Sequence, residues 1–169
     1  IYDFCNETLS AIYLVATKDR LYCDASDSVR RRRTQTVMHA ISGLLCRLLE
    51  PVIPHTADEA FRALERSDEA NVHLCEPLDL SAQCDHEWSA VMNLRDAVLK
   101  ALEEAKAEGL DNPLDAGVVI PDPEGTFARF GGDLADVCGV SRARFETSLG
   151  DVTIDDLRDE PRCDRSRKR

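Results

Sequence analysis

A mainly α protein, an antiparallel helical bundle followed by a small α/β subdomain, is predicted by three features of the sequence. Before residue 108, apolar side chains recur at intervals of three and four, the period of a helix with one buried face. After residue 112 that period disappears, and a short apolar run at 116–120 stands between Pro113 and Pro121, as a strand requires. With 169 residues, 43% of them hydrophobic, the chain can hold one ordinary core and an appendage but no large multidomain enzyme. These features set the expected boundaries: a helical bundle over 1–108, an α/β subdomain over 109–157 and a basic tail over 158–169.

The elements follow in order. Cys5, Leu9, Ile12 and Ala16, flanked by Phe4 and Tyr13, form the stripe of a helix over about 2–21. Asp24, Ser26, Asp27 and Ser28 then favour a turn and an N-cap, so a second helix starts near Ser28 or Val29. Its predicted apolar face is Val37, Ile41, Leu44, Leu45, Leu48 and Leu49, and it stops before Pro51 because the residue ahead of a proline avoids the α region. Gly43 within it suggests close packing. Thr56 and Glu59 have the spacing of a capping box opening a short third helix that ends near Leu64. Residues 67–84 show no sustained period and read as a loop crossing over the bundle. Trp88, Val91, Arg95, Val98, Leu102 and Ala105 define a fourth helix that Gly109 stops. A strand at 116–120, a turn at 121–125, a brief helix over 131–137 and a second strand over 141–145 complete the subdomain, and 158–169 should be disordered.

Composition excludes several functions. No apolar run reaches the roughly 20 residues of a membrane span, and the N-terminus lacks the regions of a secretory signal. Seven cysteines without a C-x-x-C pair read as reduced thiols of a cytoplasmic protein. Aromatic residues make up 5%, too few for a sheet of base-stacking rings. The net charge of -11 argues against nucleic acid until it is divided: residues 1–50 carry 7 basic and 6 acidic groups, 51–157 carry 8 and 23, and 158–169 carry 6 and 3. The acidity is confined to the middle. The chain opens on Ile1 and directly on a helical pattern, which points to a piece of a longer polypeptide.

No phosphate loop, nucleophile elbow or H-E-x-x-H motif is present, and the carboxylate pairs Asp58/Glu59 and Glu103/Glu104 suit exposed helix faces, so no catalytic residue is assigned. His73, Cys75, Cys84 and His86 are good zinc ligands, but single-residue spacings within each pair hold a tetrahedral ion poorly. They read as loop residues. His55 reads as a structural hydrogen-bonding residue of the 51–54 connection and Trp88 as core. The basic cluster is different: Arg30, Arg31, Arg32 and Arg33 open the second helix, and Lys18 and Arg20 close the first. Cations at a helix N-terminus oppose its dipole, so the arrangement carries a cost that suggests a use, namely phosphate. A nucleic-acid contact and a helical protein-interaction module that meets an acidic partner both fit these residues.

Four ordered stretches resemble the anticodon-binding region of class I isoleucyl-tRNA synthetases. They are LSAIY with KDRLY at 9–22, RRRTQTV at 31–37, PVIPHTADEAF at 51–61 and NVHL at 71–74. The PVIPH element is similar in valyl- and leucyl-type enzymes, whereas KDRLY points to isoleucine. Weaker similarity runs through Leu94, Arg95, Val98, Ala101, Leu102 and Glu103 and into Leu114, Asp115, Ala116 and Val118. The resemblance implies a bundle of the class I synthetase anticodon-binding type that docks the anticodon stem-loop of tRNA(Ile). A catalytic domain elsewhere in the same polypeptide would use ATP and Mg, because the HIGH and KMSKS motifs are absent from these residues. It implies tRNA contacts from Lys18, Arg20, Tyr22, Arg30, Arg31, Arg32 and Gln35, with the cations on phosphates and Tyr22 or Gln35 near the bases. Arg33 is not asked for by the family pattern. Bacterial members often carry a C-terminal zinc module, but Ser166 stands where its second cysteine falls beside Cys163, and a hydroxyl is a poor zinc ligand among thiolates. No metal site is assigned.

Overall fold

The structure, a computed structural model, describes residues 1–76, 87–148 and 150–169. The chain divides into two compact units, Ile1–Cys23 with Asp85–Arg169, and Asp24–Cys84. As expected, helices come first and a small α/β part follows.

In the discontinuous unit the opening helix is continuous but wound in two ways. Phe4–Leu14 follows the wider i→i+5 course, and α1 (Val15–Tyr22) continues it as an α-helix. The 3,4 spacing predicted α pitch throughout. Its predicted stripe, Cys5, Leu9, Ile12 and Tyr13, is only half-buried, and no residue of Phe4–Leu14 is fully buried, so packing holds that half less firmly to the regular pitch than α1. In α1, Ala16 and Thr17 are buried, and the Thr17 hydroxyl donates to the Tyr13 carbonyl at 2.8 Å.

The core of this unit is formed between α4 (Glu87–Ala107) and a three-stranded sheet. Val91, Leu94, Val98 and Leu102 of α4, the predicted stripe, pack with Ala116, Val118 and Ile120 of β1 (Ala116–Pro121) and with Leu134, Ala135 and Cys138 of α5 (Asp133–Cys138). β1 lies in the middle, parallel to β2 (Arg142–Glu146) and antiparallel to β3 (Thr153–Asp156). Residues before β1 turn on Asn112, whose side chain accepts from the Leu114 N–H, and after it Asp122 accepts from the N–H groups of Phe127 and Ala128. Arg95 Nε donates to the Val137 carbonyl at 3.1 Å and fastens α4 to α5.

Three expectations are corrected here. A boundary at residue 108 would cut through a core, because α4 buries its stripe against the sheet. Trp88 is 49% exposed; it stands in the first turn of α4, before the helix reaches the buried layer. The tail over 158–169 is ordered by charge: Arg162 and Arg169 both pair with Asp115, Lys168 pairs with Asp136 at 2.5 Å, and the Cys163 N–H donates to the Lys168 carbonyl. Apolar periodicity, from which disorder was inferred, is blind to such contacts.

The second unit pairs α2 (Val29–Leu49) with α3 (Pro54–Glu65). Ser28 caps α2 by accepting from the Arg31 N–H at 3.4 Å. Ile41, Leu44, Leu45, Leu48 and Leu49 are half-buried as predicted, but Val37 is 44% exposed. Thr34 and Cys46 are the buried positions. A Cβ on Gly43 would lie 3.7 Å from Leu64, the close approach anticipated there. Helix α3 opens on Pro54, whose fixed φ suits the first helical position, with Ile53 at the cap. Thr56 therefore lies inside the first turn and does not cap. The following turn, Val72–Leu74, is held by Asp58, which accepts from the Val72 N–H at 3.2 Å, and by the contact of His73 Nδ1 with Glu50. His55 is exposed and makes no side-chain hydrogen bond among the described residues, so it does not tie the 51–54 connection.

Candidate nucleic-acid interface

The first turns of α2 carry four consecutive arginines and no acidic residue. The charges nonetheless fall into two pairs. Arg31 donates to the Asp24 carbonyl at 3.0 Å, and Arg30 Nε lies 4.0 Å from the Asp24 carboxylate, which also accepts from the Ser28 hydroxyl. Asp24 thus binds the two leading arginines into the turn that starts the helix, which offsets part of their unfavourable placement on the dipole.

Arg32 and Arg33 are exposed and have no ion pair among the described residues. With Val29, Thr36 and Val37 they line an open groove along one face of α2, at the i, i+3, i+4, i+7 and i+8 positions that share a helix face. Val29 is 62% exposed and Val37 44%. The Thr36 hydroxyl is turned back onto the Arg32 carbonyl at 3.0 Å. Gln35 is also exposed on α2 but is not among the groove residues. Sequence reasoning missed Val29, Val37 and Arg33 as members of this face; reading residues 29–37 for period alone shows the stripe, but Val37 was ascribed to the apolar face and Val29 only to the helix start.

Lys18, Arg20 and Tyr22 belong to the other unit and differ in state. Lys18 is exposed, and Tyr22 is 77% exposed while its carbonyl accepts from Arg165 at 2.9 Å. Arg20 is committed internally: its side chain, 15% exposed, pairs with Asp136 at 3.1 Å and with Asp133 at 3.0 Å. Its charge joins α1 to α5 and is poorly placed for a phosphate. The same unit has a mostly apolar cleft of about 350 Å³ along α1, bounded by Tyr13, Trp88, Phe130 and Leu134 with Arg20 and Asp133 at its polar side. Burial raises the Tyr13 hydroxyl above its ordinary pKa, against the opposing pull of Arg20.

Among the described residues no three His, Cys, Asp or Glu side chains group as an ion would need. Cys84 and His86 of the sequence-level candidate lie outside the described residues. In the tail, the Cys163 thiol is drawn below its usual pKa first by the Ser166 hydroxyl and then by backbone N–H groups, so the turn offers one thiol and a hydroxyl, which do not make a zinc site. No described helix is long and apolar enough to cross a membrane.

A helical chain with an exposed arginine face is the kind of module that holds RNA. The sequence profile described as the anticodon-binding domain of tRNA ligase matches residues 1–114, and the chain belongs to that family. Its curated relatives include isoleucine–tRNA ligases from Brevibacillus brevis, 38% identical over 71% of this chain and 14% of that protein, and from Halalkalibacterium halodurans, 42% over 64% and 12%. The enzyme of the same name from Exiguobacterium sibiricum is 34% identical over 98% of this chain and 20% of its own length. The resemblance read from KDRLY and the three later stretches is borne out. The chain spans between about an eighth and a fifth of the length of these relatives.

Proposed function

We propose that this chain is the part of a cytoplasmic isoleucine–tRNA ligase that grips the anticodon stem-loop of tRNA(Ile). On this reading a catalytic domain of the same polypeptide, with ATP and Mg, joins isoleucine to the distant acceptor end. The observation that carries the reading is the α2 face. In a chain whose net charge is -11, Arg32 and Arg33 stay exposed, with no acidic partner among the described residues, on a domain of the anticodon-binding family. Arginines kept from neutralisation are what a phosphate backbone needs, since contacts to phosphate supply affinity and position while loop bases supply choice. Lys18 and Tyr22 are further exposed groups for the same partner, and Arg20 contributes by holding α1 in place.

The test is a gel shift of the 169-residue chain with a tRNA(Ile) transcript and with a second tRNA of equal length. Tighter binding of tRNA(Ile), with affinity falling as salt rises, is the expected result. Equal binding of both would reduce the chain to an electrostatic surface, and capture of an acidic protein partner with no RNA shift would favour the protein-interaction module.

A further inference from the structure

We propose that the cleft along α1 is a binding site for a small organic cation, whose apolar body lies on the floor of the cleft and whose ammonium group meets the Asp133 carboxylate among three aromatic rings. The inference does not depend on what α2 holds.

The cleft lies within one unit and is walled by several of its elements: the opening helix with α1, the first turns of α4, the turn at Ala128–Phe130 and α5. It encloses about 350 Å³, at the lower end of the roughly 300–1,000 Å³ of small-ligand sites. That space suits one ring with a short side chain. Ile12, Val91, Leu134 and Val137 form its floor, and Trp88 remains 49% exposed at its edge, so a ligand's apolar body would cover an indole that the fold leaves half bare.

Charge selects the head group. Arg20 stands at the polar side of the cleft, but its guanidinium already faces both Asp133 and Asp136, and an incoming anion would be the third negative group on one cation. A cation meets the opposite situation. Asp136 also pairs with Lys168, which reaches Asp19 at 3.6 Å, so three carboxylates share two cations. Nearby, Glu87 is matched by Arg129 and Asp96 by Arg95. The network therefore keeps one net negative charge among the described residues, and Asp133, its side chain 52% exposed, is the carboxylate of it that borders the cleft. Tyr13, Trp88 and Phe130 border the same space, and the faces of such rings attract cations. Phe130 already receives one in this way, with Arg129 Cζ 4.6 Å from the ring centroid. The Tyr13 hydroxyl, kept neutral by burial, offers an oxygen to an ammonium N–H. An apolar floor, a set of rings and a carboxylate at the edge together match an amine on a hydrophobic stem.

The experiment titrates the 169-residue chain with three probes of nearly the same shape: 2-phenylethylammonium, 2-phenylethanol and 3-phenylpropionate, which are cationic, neutral and anionic. Calorimetry gives the affinities, and the indole N–H resonance of Trp88, the single tryptophan, reports occupation of the cleft. The cation is expected to bind about tenfold more tightly than the alcohol, as for a cation partly desolvated on aromatic rings, and to shift the Trp88 resonance to saturation. The propionate should bind most weakly. Asp133→Asn changes an exposed side chain, with circular dichroism checking that helix content is kept, and should cut the preference for the cation about threefold while leaving the affinity for the alcohol unchanged. Equal affinities for the three probes, tightest binding of the propionate, binding that leaves Trp88 unmoved, or no saturation by the amine in the low-millimolar range would each overturn the site. Asp133→Asn with the full preference for the cation would do the same. None of these results bears on tRNA binding, which the gel shift tests separately.

Discussion

Asp136 should matter more to the discontinuous unit than its surface neighbour Asp133, although both pair with Arg20. The Asp136 side chain is 5% exposed and accepts from Arg20 at 3.1 Å and from Lys168 at 2.5 Å, whereas Asp133 is 52% exposed and reaches Arg20 at 3.0 Å. Asp136→Ala removes a buried acceptor shared by α1 and the tail. Arg20 keeps Asp133, so the loss falls short of the roughly 3–5 kcal/mol that follows when a buried charge is stranded. It exceeds the roughly 0–1 kcal/mol of an exposed pair. We expect a loss of about 2 kcal/mol for Asp136→Ala and at most about 1 kcal/mol for Asp133→Ala. Trp88 is the only tryptophan and lines the cleft beside Arg20, so its fluorescence follows this unit alone during urea unfolding. The midpoint should fall by about 1 M for Asp136→Ala with the slope unchanged. High salt should erase the Asp133 effect and leave most of the Asp136 effect. Equal midpoints for the two variants would refute the reasoning.

Three other outcomes follow from the titrating groups. Cys163 is exposed with a lowered pKa, while burial pushes Cys138 up to about 11; iodoacetamide at mildly alkaline pH should label Cys163 before Cys138, and equal rates would contradict the structure. Cys138 is neutral in the fold up to a higher pH than in the unfolded chain, so its stabilisation is present below about pH 9 and lost as pH climbs from there toward 11. Arg162 and then Arg169 hold the Asp115 carboxyl below its ordinary pKa, so the tail contact is complete above about pH 4 and is lost as pH falls through the lower folded value. Asp115→Asn should loosen the tail at neutral pH, and faster trypsin cleavage after Arg162 or Arg165 measures it; unchanged cleavage would deny Asp115 the role.

Helices were legible where one face is buried on a hydrophobic layer. The α4 stripe was readable to the residue because Val91, Leu94, Val98 and Leu102 all meet the same core. Ser28 and Gly109 announced a start and a stop because their chemistry is local. What the sequence hid was long-range. β3 escaped notice because Thr153–Asp156 is mostly polar and is defined by pairing with β1. The ordered tail depends on Asp115 and Asp136, each distant in sequence. At the candidate interface the arginines were visible as a run, but their division was not: Asp24 takes Arg30 and Arg31, whereas Arg32 and Arg33 stay open. Arg20, grouped with them by charge, is spent on a partner 116 residues away.

That separation also orders events at the ribosome. The unit Asp24–Cys84 is contiguous, and α2 and α3 can pair as soon as both have emerged. The opening helix has no such freedom, because the α5 carboxylate that receives Arg20 is synthesised 116 residues after it. At roughly 5–20 residues per second this is a wait of about 6–23 s, during which Ile12, Tyr13 and Ala16 lack the Leu134 and Val137 side chains that later border the same cleft. A nascent chain stalled anywhere between α3 and α5 therefore displays an unsatisfied amphipathic helix, and holdase chaperones should associate with such stalled chains and let go once α5 has emerged.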